Sequence, residues 1–176
     1  MSPTHDILVV NDRMLDAHET LVALEQVAPR ATVLHLDSGN EALEYLFSVG
    51  AYAGRPRLMP KLILLSAELS DISGLCLLDL MRAHPLTGAV PIILVSLESD
   101  LRKSRRHDQF DADAYVMKPL DFRRYCALLQ SCIRCWMPSA LRRSDGRYSE
   151  PPSATHALAG ILATDVPSPS GSVLSP

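Results

Sequence analysis

A chain of 176 residues, 47% of them hydrophobic and 21% charged, holds enough apolar material for one domain with a real core and is short for two. A formal net charge of -3 offers no global attraction to nucleic acid or to a membrane surface. No apolar run approaches the roughly 18 residues of a membrane span. Met1 to Asp6 lacks a basic stretch followed by an apolar one, so no signal peptide is read and the expected location is the cytoplasm.

Ile7 to Val10 is a short apolar run ending at Asn11-Asp12, as in a buried parallel strand. Asp16 to Ala28 follows with Leu15, Leu21, Val22, Leu24 and Val27 at helical spacing, stopped by Pro29. Thr32 to Leu36 alternates and reads as a second strand. Ser38-Gly39-Asn40-Glu41 matches a capping box, in which a hydroxyl and a carboxylate satisfy the free amides of a helix start. The helix it opens carries Ala42, Leu43, Leu46 and Phe47 on one face and ends near Gly50.

Glycines and prolines mark Gly50 to Pro60 as a loop. Leu62 to Leu65 is an uninterrupted apolar strand, closed by Ser66. Gly74 to His84 is helical and Pro85 breaks it; Ile92 to Val95 is the fourth strand. Ser99 to Asp108 is predicted as a weak helix with Leu101 as its one apolar anchor. Ala114 to Met117 is the fifth strand, Pro119 follows, and Phe122 to Trp136 is the last helix.

Strands alternating with helices in this way predict an α/β fold, a doubly wound five-stranded parallel sheet of order 2-1-3-4-5, flavodoxin-like. The domain is expected to span residues 1–137. Residues 138–176, rich in proline and serine, are expected to form a mostly unfolded tail in which only Ala154 to Ala163 has helix-favouring content.

In such sheets the site lies at the carboxyl ends of the strands. Asn11, Asp12 and Ser66 fall there, with Ser96 and Lys118 at the next two strand ends. Cys132 and Cys135 have CxxC spacing but no second pair, so they read as small apolar residues on one helix face. His5, His18, His35, His84, His107 and His156 show no metal-ligand spacing.

The order of these strand-end residues, with Val95-Ser96 and Tyr115-Val116-Met117-Lys118-Pro119, resembles the two-component response regulator receiver domain (CheY-like) over about residues 5–136. The loop with Ala51-Tyr52 and the segment His84-Pro85-Leu86-Thr87 are similar to single-domain regulators that partner bacterial phytochromes. The resemblance implies an acidic pair after the first strand, here Asn11 and Asp12, that holds a divalent cation. The other ligands are a phosphoacceptor aspartate and the carbonyl two residues beyond it. It also implies a hydroxyl (Ser96), a switch aromatic (Tyr115) and a lysine (Lys118) that act on the phosphoryl group.

Ser66 stands at the phosphoacceptor position. Its oxygen falls short of a carboxylate oxygen by about an ångström, a displacement that costs about a hundredfold. A serine also needs a general base, and no histidine is near it in sequence. Ser70 replaces a frequent proline. Asp12 is then the one carboxylate in the pocket unless Glu68 turns inward, so metal binding is expected to be weak and magnesium is not required. Asp12 and Lys118 are expected to pair.

The resemblance therefore implies a non-phosphorylatable receiver-like module of phosphorelay signalling, with no enzymatic activity and no cofactor. Its expected partner is a sensor histidine kinase or phytochrome-type photoreceptor. Alternatives are a serine-nucleophile enzyme on the same fold and a receiver phosphorylated at a non-standard site. The Ser66 context lacks the glycine-flanked turn of a hydrolase elbow. The basic run Arg102, Lys103, Arg105 and Arg106, with Arg142 and Arg143, is not followed by a DNA-binding motif, and no nucleic-acid or membrane partner is expected. Arg123, Tyr125, Trp136 and Met137 are the candidates for a homodimer interface on the last helix.

Overall fold

The four-residue run Ile7–Val10 forms β1 and is buried along its whole length, because both sheet faces are covered and every residue must be apolar. The computed structural model describes residues 5–97 and 111–137. Within them β1 is followed by α1 (Met14–Val27), β2 (Val33–Leu36), α2 (Gly39–Phe47), β3 (Leu62–Ser66), α3 (Gly74–Ala83), β4 (Ile92–Leu97), β5 (Ala114–Lys118) and α4 (Phe122–Trp136). The five strands are all parallel and ordered β2-β1-β3-β4-β5, the order expected from the sequence.

Alternate residues of each strand divide between two cores. Ile7, Val9, Leu62, Leu64, Ile93, Val95, Ala114 and Val116 meet α1 and α4 on one face. Leu8, Val10, Ile63, Leu65, Ile92 and Leu94 meet α2 and α3 on the other. The helix predicted over Ser99 to Asp108 and the segment 138–176 lie outside the described residues, as do Arg102 to Arg106, Arg142 and Arg143.

Three local expectations are corrected. Helix α1 begins at Met14, two residues early, and Leu15 is 84% exposed. The stripe that faces the sheet is Ala17, Thr20, Ala23, Leu24 and Val27, and Leu15 lies about 200° around the helix from Ala17, toward solvent. At α2 the Ser38 hydroxyl accepts from the amide of Glu41 at 3.2 Å. The Glu41 carboxylate instead accepts from the Tyr52 hydroxyl at 2.6 Å, fastening the following loop, so only half of the capping box forms.

The third correction concerns α4. Tyr125 is fully buried, and its hydroxyl lies 2.8 Å from that of Thr20 on α1. Met137 is buried in the same core, and Trp136 is half-buried against it. Tyr125 and Met137 are therefore interior residues and not part of an interface. The apolar stripe of α4 is consumed by α1 and the sheet through to its last turn. Arg123 is exposed. No described helix is long and apolar enough to cross a membrane.

Candidate functional site

Parallel register brings the strand ends level. Val10 lies beside Leu65, Ser66 beside Val95, Ser96 beside Met117 and Leu97 beside Lys118. At these strand ends lies an open cleft of about 20 Å³, lined by Asn11, Arg13, Asp16, Ser66, Glu68, Ser96 and Lys118 among others. That is room for about one water molecule.

Ser66 is held by its own strand's continuation. Its hydroxyl donates to the carbonyl of Glu68 at 2.8 Å. The turn that makes this possible is pressed against α3: a Cβ on Gly74 would lie 1.9 Å from the Ser66 carbonyl oxygen, so glycine alone fits there. The Glu68 carboxylate pairs with Arg13, another residue lining the cleft, at 3.1 Å, and both side chains are about half-exposed.

Asp12 is occupied too. One of its carboxylate oxygens accepts from the amide of Ser70 at 2.6 Å and from the Ser70 hydroxyl. A proline at position 70 would remove both donors, which gives the serine there a structural reason. Asn11 turns its side-chain oxygen to the amide of Arg13 at 2.9 Å, and its carbonyl lies 2.8 Å from His35 Nε2. Both residues after β1 thus serve the backbone of the turns around them.

The neighbouring Asp71 fastens the same β3–α3 loop to α2. It accepts from the Ser38 hydroxyl at 2.8 Å and from the amides of Gly39 and Asn40 at 3.1 and 2.8 Å. Burial pushes its carboxyl up, but these donors outweigh that and hold it down at about 2. An anion at a helix N-terminus is also favoured by the helix dipole.

Lys118 corrects the expected Asp12 pair. Its buried ammonium lies 2.7 Å from Asp16 and 2.6 Å from Glu19, both on α1, and 5.5 Å from the centre of the Tyr125 ring. Side-chain direction explains this. Lys118 follows Ala114 and Val116 on the face covered by α1 and α4, whereas Asp12 is engaged by the β3–α3 loop.

Asp16 and Glu19 were not singled out in the sequence. Their spacing of three residues, which sets two carboxylates on one helix face, was the available signal. The cleft brings together Asn11, Ser66, Glu68, Ser96 and Lys118. Tyr115 is elsewhere, half-buried against the core under α2 and α3.

A hard divalent cation needs several oxygen ligands carrying negative charge. Here Asp12 and the Glu68 carbonyl are already accepting hydrogen bonds, Ser66 brings a hydroxyl, and the Glu68 carboxylate is paired with the Arg13 guanidinium. This donor set does not fit magnesium. Among the described residues there is no cluster of three histidine, cysteine, aspartate or glutamate side chains suited to a metal.

The response regulator receiver domain family matches residues 7–130. The chain belongs to that family. As a receiver it is a part of two-component signalling, whose receiver domains are in general non-enzymatic modules that interact with sensor kinases. Among solved structures it is similar to the phosphorylated cyanobacterial phytochrome response regulator RcpA, with 24% identity and a TM-score of 0.64 over 78% of this chain and 96% of that one. It is likewise similar to the bacteriophytochrome response regulator RtBRR, with 26% identity and a TM-score of 0.63 over 90% of this receiver and 91% of that one. A curated relative is the probable methanogenesis regulatory protein FilR2 of Methanothrix harundinacea. It is 24% identical over 131 residues, which make up 74% of this receiver and 83% of that protein.

Proposed function

We propose that this protein is a receiver without phosphoryl chemistry, acting by protein–protein contact with a sensor histidine kinase such as a bacteriophytochrome. The observation that carries the reading is the Ser66–Glu68 contact. The residue at the phosphoacceptor position is a hydroxyl, and its proton is given to the carbonyl two residues on. In the receiver pattern that carbonyl is a metal ligand; here one of its two lone pairs accepts the Ser66 proton.

A serine with its proton committed to a carbonyl has no base to activate it, which also argues against Ser66 as an enzymatic nucleophile. No cofactor is assigned, and magnesium has no role in this reading. The phytochrome-type partner is suggested by the likeness to RtBRR. The receiver-like unit is assigned to residues 1–137 and the proline- and serine-rich remainder to a separate tail. Self-association through α4 is retained on Arg123 and the outer part of Trp136 only.

Acetyl phosphate, or beryllofluoride with magnesium, tests the reading. Intact mass and Trp136 emission are expected to stay unchanged with either. A stoichiometric gain of one phosphoryl group would overturn it.

A further inference from the structure

A buried ammonium must have charged partners, because a charge removed from water and left uncompensated is very costly. Lys118 has two, and neither belongs to the strand-end pattern. Asp16 and Glu19 project from one face of α1, three residues apart, and approach the same Nζ at 2.7 and 2.6 Å. The backbone carbonyl of Asp16 lies 3.4 Å from it as well. From α4 the only described group brought over it is the neutral Tyr125 ring, itself fixed to α1 through Thr20.

We propose that Asp16 and Glu19 form a lysine-holding site that replaces the strand-end carboxylate as the partner of Lys118. The site keeps the ammonium on α1 whether or not an anionic group is offered at position 66. The inference deepens the reading of Ser66 given above and rests on it for the identity of that position. Two carboxylates against one ammonium leave the holding site with one negative charge in excess. A third carboxylate placed at Ser66 therefore competes at a disadvantage. The loss of the aspartate and the gain of the holding site then act together: the first removes the pull toward position 66, the second supplies a stronger pull toward α1.

Two measurements on the full chain test this. The first is the rate at which Lys118 is acetylated by an N-hydroxysuccinimide ester, read by site-resolved mass spectrometry with exposed Lys61 as the internal standard. The variant Asp16→Asn/Glu19→Gln is expected to raise the Lys118 rate at least about tenfold by easing local opening, with Lys61 unchanged. An unchanged Lys118 rate in a variant with wild-type circular dichroism would overturn the proposal.

The second measurement restores the carboxylate. Ser66→Asp alone is expected to gain no beryllofluoride response with magnesium, and Ser66→Asp with Asp16→Asn/Glu19→Gln to gain one. Equal responses from the two variants, present or absent, would overturn the proposal. The acetylation readout does not involve Ser66. Phosphorylation of the wild type would therefore sink the reading of Ser66 while leaving the holding site to be judged by itself.

Discussion

Ser66 and Glu68 are joined by a hydrogen bond of 2.8 Å that runs from a side chain to the backbone two residues ahead. It is a local closure, made by the residue that ends β3 with the turn that leaves it. Because it is partly solvated, its removal should be mild. Ser66→Ala is expected to cost about 0.5–1.5 kcal/mol, the usual net value of one such bond, in urea unfolding. A loss above about 3 kcal/mol would mean that the hydroxyl organises more than this turn.

Lys118 should be far more sensitive. Lys118→Met leaves Asp16 and Glu19 facing each other without a cation, though both keep some contact with water. A loss of about 1–3 kcal/mol is expected, below the range for wholly buried pairs. In double-mutant cycles Lys118→Met should couple to Asp16→Asn and to Glu19→Gln, and be additive with Asp12→Asn. Coupling to Asp12 alone would restore the pairing that the sequence suggested.

The loop after β3 gives a pH signature. The Asp71 carboxyl is held at about 2 against 3.8 for an unperturbed group, so its folded-state value is depressed. Its contribution to stability is complete above about pH 4 and is lost as pH falls through about 2. The urea midpoint should drop over that window in the wild type and drop less in Asp71→Asn. Parallel curves for the two proteins would remove Asp71 from the account.

Gly74 sets how closely α3 approaches β3. With a Cβ placed only 1.9 Å from the Ser66 carbonyl oxygen, Gly74→Ala must push the helix or the strand end aside. A destabilisation of at least about 1–3 kcal/mol is expected from such overpacking. A thermal midpoint unchanged from wild type would show that the turn relaxes freely.

Self-association can be settled by light scattering at tens of micromolar. If α4 mediates it, Trp136→Ala should shift the protein toward monomer. The same substitution removes packing on the α1–α4 core, so its unfolding must be followed alongside. A monomeric wild type would end the idea.

The sheet was legible because its strands are unbroken apolar runs that end in polar residues. Leu62 to Leu65 admits no other element of that length between Pro60 and Gly74 in a chain of alternating helices. The positions at the strand ends followed from the sheet order. What failed were choices of partner. Asp12 and Lys118 both lie at strand ends, but their side chains depart toward different neighbours, and Lys118 finds carboxylates 102 and 99 residues earlier in the chain. Apart from their spacing of three residues, nothing local to Asp16 or Glu19 distinguishes them from ordinary acidic residues near a helix start. Tyr125 failed for a similar reason: an aromatic among arginines reads as surface until Thr20 is seen across from its hydroxyl.

The β3–α3 loop is fastened at three points, through Glu68 to Arg13 and Ser70 to Asp12 in the β1–α1 turn, and through Asp71 to the start of α2. A segment pinned in this way has little slack with which to record an event. For a module that works as proposed, the message then lies in occupancy. A partner senses whether this domain is present and in what amount, so the rates of its synthesis and removal would set the signal that a phosphate sets elsewhere.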